Sequence, residues 1–200
     1  MEKVFYRIVN KLEENGSIEA EDKEVYIYAL NMIQVYITNF AISAAIGIAL
    51  GMFWYCMVFL IAFMILRQEA GGYHARGWKA CYFLSTLILV VALIWIKIQF
   101  TWKIYITAAL SIISAIYIFI FAPLADENKP LDERDRKAIR KRAHKIVIFE
   151  TLTGILLLPF QDMLACAVLS SVILSGGTYI VWFIREKRKN LNILEKHKRQ

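Results

Sequence analysis

Two hundred residues, 58% of them hydrophobic and arranged in long uncharged runs, are too apolar for a soluble globule of this size and point to a polytopic membrane protein. The net charge of +7 then reads as a topology signal rather than a nucleic-acid surface. Cys56 and Cys166 lie inside apolar runs, and no CxxC or Cys/His zinc spacing occurs, so neither a disulfide framework nor a metal or cofactor site is expected.

Residues 1–24 are charged and resemble no cleaved signal. Within them, Val4, Phe5, Ile8, Val9 and Leu12 share one helical face, with Lys3, Arg7, Lys11, Glu13 and Glu14 opposite. This predicts an amphipathic helix lying at the membrane interface, with a helix packed on a neighbouring loop as the other reading. Asn15-Gly16 ends it.

From Val25 to Leu66 there is no charge at all. At about 20 residues per crossing, this run holds two transmembrane helices and a tight turn, with Gly51 the best candidate for the turn. Ser43, Gly47 and Gly51 form a small-xxx-small stripe, suited to an internal contact or to a homodimer. Asn31 and Gln34 share a face and are read as hydrogen bonding between helices.

Further spans are expected over residues 81–96, 104–122, 146–160 and 163–184, which makes about six transmembrane helices in an all-α fold. Some are short, so helices are expected to begin inside charged flanks or to be partly re-entrant. The charged segments 67–80 and 123–145 are read as loops, and 185–200 as a mobile basic tail. All of the 24 Lys and Arg except Lys97 and Lys103 fall on one side if the N-terminus is inside. The positive-inside rule therefore places both termini and both charged loops in the cytoplasm of a multi-pass cell-membrane protein. Glu150, one turn inside its span, is read as snorkelling to the interface, and His144 and His197 as solvated. Gly176-Gly177 marks a kink or a close approach.

The chemistry concentrates in residues 67–81, Arg67-Gln-Glu-Ala-Gly-Gly-Tyr-His-Ala-Arg-Gly-Trp-Lys-Ala-Cys81. Cys81 stands near the start of a helix expected to begin at Gly77 or Trp78. Unpaired N–H groups and the helix dipole there favour a thiolate, and Arg76 and Lys79 add positive charge. His74 can serve as its base or imidazolium partner. On one straight helix the two residues would be about 10.5 Å apart along the axis, beyond hydrogen-bond reach. The pair therefore requires a bend, which Gly71, Gly72 and Gly77 permit, or closure between subunits. A packing cysteine and a solvated histidine are the plain structural alternative.

Arg67…Gly71-Gly72-Tyr73-His74-Ala75 followed by Cys81, together with Ala122-Pro123-Leu124-Ala125-Asp126-Glu127-Asn128-Lys129-Pro130-Leu131, resembles the accessory gene regulator B (AgrB) family. These are membrane cysteine endopeptidases that mature the peptide signals of bacterial quorum sensing. The resemblance covers nearly the whole chain. It implies Cys81 as nucleophile and His74 as its partner, with the glycines shaping the site. Arg67 is a weaker candidate for holding substrate carboxylates or lipid phosphates, and Glu69 for orienting His74. Asn128, Lys129 and Pro130 are candidates for shaping a substrate groove. The implied substrate is an AgrD-like propeptide, cleaved through an acyl thioester and closed to a thiolactone or lactone. Membrane lipid is the other expected partner, and a homodimer remains open. A peptide exporter or channel with structural His and Cys is the alternative function.

Overall fold

The computed structural model describes residues 2–71, 78–124 and 132–198. Seven α-helices follow one another: α1 (Glu2–Glu14), α2 (Lys23–Ala49), α3 (Phe53–Ala70), α4 (Trp78–Lys97), α5 (Lys103–Phe121), α6 (Glu133–Leu157) and α7 (Asp162–Lys198). A short 3₁₀ turn, Ala20–Asp22, leads into α2. Among the described residues, four helical segments are long and apolar enough to cross a membrane: Ala20–Ala49, Phe53–Ala70, Lys103–Phe121 and Asp162–Ile184. The chain is an all-α polytopic membrane protein.

The uncharged run divides as its length requires. Gly51, at φ 67°, turns α2 into α3, a left-handed conformation that glycine adopts without a Cβ clash. The small-residue stripe is used within the chain. A Cβ at Gly47 would lie 2.9 Å from the Cys56 Cβ, and the Cys56 thiol donates to the Ser43 carbonyl at 3.3 Å. Small side chains on α2 thus let α3 approach closely. Asn31 does not bridge helices, because its amide donates to the Ile27 carbonyl one turn back in α2.

Helix α7 is the axis of the bundle and packs against α3, α4, α5 and α6. Its inner surface is built from small residues: Ala165, Cys166, Ala167, Ser170, Ser171 and Ser175 are all buried. Gly176 is a point of close approach, where a Cβ would lie 2.7 Å from the Ser114 Cβ of α5. On α6, Gly154 leaves room for Leu169 in the same way. A central helix touching four neighbours needs this lack of bulk, since helices in lipid associate by packing rather than by burial from water.

Three expectations are corrected here. The segment 123–145 is not simply a loop: α6 begins at Glu133, capped by the Asp132 carboxylate, which accepts from the Glu133 N–H at 2.7 Å. The basic tail does not stand apart from the last span as an element of its own, because α7 continues through Arg185 to Lys198. Glu150 does not snorkel. It is buried, and its carboxylate accepts a 2.8 Å hydrogen bond from the Ser171 hydroxyl of α7. A charge inside the bundle is stabilised by such a partner rather than by reaching water. His197 lies beyond the side chains the structure describes.

The α4–α5 hairpin closes at the opposite end of the bundle from Gly71. Lys103, expected in the break between spans, is buried and donates at 2.7 Å to the Ile96 carbonyl. It thereby caps the last turn of α4 with a positive charge. Thr107 follows one turn later, accepting from the Trp95 indole at 3.0 Å and donating to the Lys103 carbonyl at 2.8 Å.

Helix α1 is amphipathic as expected. Val9 is buried, Val4 and Ile8 are exposed, and Glu13 pairs with Lys23 at 2.8 Å where the chain turns into α2.

Candidate functional site

The stretch from Arg67 to Cys81 is not one straight helix. Helix α3 carries Arg67 and Glu69 in its last turn and ends at Ala70. Gly71 then takes φ 74° and ψ −157°, a combination open essentially to glycine alone. Among the described residues α4 runs from Trp78 and carries Cys81 in its N-terminal part. Gly72 and His74 lie outside the described residues, as do Asn128, Lys129 and Pro130 of the second block. The pairing of His74 with Cys81 falls outside them too.

The structure brings the origins of the two blocks together. After α5, Ala122 leads through a cis peptide bond to Pro123 and then to Leu124. Gly71 and Leu124 form a parallel β-bridge. The Leu124 N–H donates to the Ala70 carbonyl at 3.2 Å, and the Tyr179 hydroxyl of α7 donates to the same oxygen. Both lone-pair directions of this helix-terminal carbonyl are thus used. A Cβ at Gly71 would fall 2.6 Å from the Leu124 carbonyl oxygen, so the close approach excludes any larger residue. Chain segments 72–77 and 125–131 therefore depart from adjacent backbone positions.

Packing beneath this junction is apolar and continuous. Leu66, Ala70, Ile118, Ala122, Ala143, Val147, Val172 and Tyr179 form one buried cluster drawn from α3, α5, α6 and α7 and the α5 exit. Burying a tyrosine among such residues is favourable when its hydroxyl finds a partner, here the Ala70 carbonyl.

Charged side chains tie α6 to the same end. Glu69 pairs with Arg142 at 2.9 Å, while its expected role of orienting His74 concerns a residue outside those described. Arg67 lies with its guanidinium 5.7 Å from the centre of the Phe63 ring. Arg140 donates to the Ile120 carbonyl at 3.2 Å. His144 is not merely solvated: its ring stacks on Phe119 at 3.8 Å between centres, and its Nε2 lies 2.8 Å from the Phe119 carbonyl. Arg140 and His144, one turn apart on α6, thereby satisfy two of the terminal carbonyls of α5.

Sequence reasoning missed Tyr179 and Arg142, and it named Leu124 only as a member of the second block. Tyr179 sits in an apolar run, where an aromatic residue carries no sign of its partner. Leu124 acts only through its backbone, and Arg142 is one of many cations in its segment.

A bundle of apolar helices with buried polar groups, fastened at one end by the Gly71–Leu124 bridge, defines a polytopic integral membrane protein. Comparison with known proteins makes this specific. The family model for accessory gene regulator B matches residues 5–183, and the chain belongs to that family. It is 30% identical over 161 residues to accessory gene regulator protein B of Staphylococcus aureus (strain bovine RF122 / ET3-1), covering 77% of this chain and 82% of the relative. It is 28% identical over 169 residues to the protein of the same name from Staphylococcus saprophyticus, covering 82% and 87%. A putative AgrB-like protein of Clostridium perfringens (strain SM101 / Type A) is 26% identical over 183 residues, covering 88% and 85%. No solved structure matches the chain.

Proposed function

We propose that this chain is a membrane cysteine endopeptidase that matures a quorum-sensing propeptide, with Cys81 as nucleophile and His74 as its acid–base partner. The observation that carries the reading is the Gly71–Leu124 bridge, which joins the two sequence blocks shared with the family at one end of the bundle. The position of Cys81 near the described N-terminal end of α4 supports it as well, since the first turn of a helix carries the unpaired N–H groups that favour a thiolate.

In the proposed reaction the Cys81 thiolate attacks the carbonyl carbon of one propeptide bond. The C–N bond breaks, and the new amine takes its proton from the His74 imidazolium. The N-terminal fragment stays on the enzyme as a thioester. A thiol or hydroxyl within that fragment then attacks the thioester carbonyl, closing a ring and returning the Cys81 thiolate, while His74 takes the proton released. Cyclisation outcompetes hydrolysis by proximity of the internal nucleophile and exclusion of water. An AgrD-like substrate with an amphipathic leader would reach this end along the membrane surface. In this reading both termini and the catalytic segment are cytoplasmic, in agreement with the distribution of Lys and Arg. Gly72, Asn128, Lys129 and Pro130 would shape the substrate path.

The test is cleavage of an AgrD-like propeptide by the purified, reconstituted full chain. Cys81→Ser and His74→Ala are expected to abolish cleavage while leaving helix content and membrane insertion intact, and the wild type is expected to form a thioester-linked adduct visible by mass spectrometry. Cleavage that persists in both variants would exclude the protease and favour a peptide exporter.

A further inference from the structure

Helices α3 and α6 run side by side from the Glu69–Arg142 pair toward the opposite end, and between them lies an open groove of about 640 Å³. Ile61, Ala62 and Ile65 of α3 form one wall; Phe149 and Glu150 of α6 form the other. Ile61, Ile65 and Phe149 are exposed, as expected of side chains that face hydrocarbon. The Glu150 carboxylate is buried and engaged by Ser171, so the groove remains chiefly aliphatic along its length. Its mouth differs. Lys145 lines the groove one turn before Phe149, at the end where α6 turns basic.

Lys145 is the last of a series. Lys137, Lys141 and Lys145 recur every four residues along α6 and form one exposed stripe. At 1.5 Å per residue it extends about 12 Å. Arg140 and Arg142 between them are occupied by the Ile120 carbonyl and Glu69, whereas no carboxylate among the described residues pairs with these three lysines. Cations placed just beyond the apolar part of a membrane helix, beside an apolar slot, match the two halves of an anionic phospholipid.

We propose that the α3–α6 groove is a binding site for an anionic phospholipid, whose phosphate is held by Lys145 and Lys141 and one of whose acyl chains lies over Ala62 and Glu150. A zwitterionic lipid fills the slot equally well and presents the same phosphate, but its own cation offsets that charge and weakens the attraction to the lysines. Beyond the groove, the ion pair between Arg142 and Glu69 joins α6 to the last turn of α3, with Glu69 one turn past Ile65 and two residues before Gly71. Occupancy would therefore brace the turn from which the 72–77 segment departs. The proposal does not depend on the protease reading.

Native mass spectrometry of the detergent-purified full chain, with phosphatidylglycerol and phosphatidylcholine added in turn, tests it. Phosphatidylglycerol adducts are expected to be retained in preference to phosphatidylcholine. The pair Lys141→Glu and Lys145→Glu should lower that retention about tenfold or more. Ala62→Phe, which fills the slot and leaves the lysines, should also lower it. Lys97→Glu, at the opposite end, should leave it unchanged. Circular dichroism of each variant establishes folding, and a variant that unfolds is replaced by Lys145→Gln or Ala62→Leu. Equal retention of the two lipids would overturn the proposal, as would full retention in the lysine variants. Loss in the lysine variants without loss in the groove-filling variant would leave only surface attraction and would likewise overturn it. A dimer that disappears on filling the groove, with no lipid preference, would assign the slot to a second copy instead.

Discussion

Gly71 and Leu124, 53 positions apart in sequence, meet in a parallel bridge that fastens the end of α3 to the segment leaving α5. The contact rests on two independent requirements at Gly71. Its φ of 74° belongs to glycine, and the Leu124 carbonyl oxygen occupies the space a Cβ would need. Whatever 72–77 and 125–131 do together begins from this fixed pair of backbones.

Gly71→Ala should therefore be costly, because strain and clash act together. A destabilisation of about 1–3 kcal/mol is expected from the backbone conformation alone; under the protease reading, propeptide cleavage should fall well beyond any loss of expression. Gly16→Ala is the matched control, since Gly16 has a similar φ of 67° but open space, with nothing within 4 Å, where a Cβ would stand. Thermal unfolding in detergent, read beside cleavage rate, separates the two. Equal effects at both positions would show that the Leu124 contact contributes nothing.

Tyr179→Phe removes one donor from the Ala70 carbonyl and keeps the ring. The Leu124 N–H still satisfies that oxygen, so the cost should be near 1 kcal/mol rather than the larger penalty of an orphaned group. Under the protease reading, turnover should fall with KM little changed, since Tyr179 steadies the end of α3 from inside the bundle. Tyr179→Ala should be worse, because it also empties part of the shared core. Unfolding temperature and single-turnover cleavage check both.

Glu150 and Ser171 form a buried pair, so the replacement chosen decides the outcome. Ser171→Ala leaves the carboxylate without the hydroxyl that donates to it and should destabilise by about 1–3 kcal/mol. Glu150→Gln retains an acceptor for that hydroxyl and should be tolerated better than Glu150→Ala. If Ser171→Ala leaves the unfolding temperature unchanged, the hydrogen bond does not stabilise the fold.

Lys103→Met keeps the aliphatic stem but removes the donor to Ile96 and the charge at the end of α4. A loss of about 1–3 kcal/mol is expected, since the hydrogen bond is charged and buried. Under the protease reading, cleavage by the folded fraction should remain near wild type, because this contact lies at the opposite end from Gly71. Parallel loss of activity and folded protein would fit. Lost activity in fully folded protein would place Lys103 in the working site.

Much of the architecture follows from local chemistry. An uncharged stretch from Val25 to Leu66 has no way to satisfy lipid except as two apolar helices, and Gly51 is where the backbone can reverse. A break before Cys81 is expected from the glycines, and α3 does end at Ala70, with Gly71 at φ 74°. Charge alone misleads where a cation or carboxylate has a distant partner. In the sequence Glu150 belongs at the interface, yet in the fold Ser171 stands opposite it. His144 reads as solvated because Phe119 is 25 residues away.

By itself, then, the sequence determined that this chain is helical, crosses a membrane several times and carries two family blocks, because hydropathy, glycine placement and motif spacing are local properties. Only the tertiary structure decided that the small residues of α2 serve α3, that α7 is the central helix, and that the two blocks start from one junction. These depend on which surfaces meet, and the partners of Gly71 lie on α5's exit and, through Ala70, on α7. The junction is made by backbone groups, whose hydrogen bonds are the same for every residue type and so leave little trace in the letters at Leu124 and Ala70.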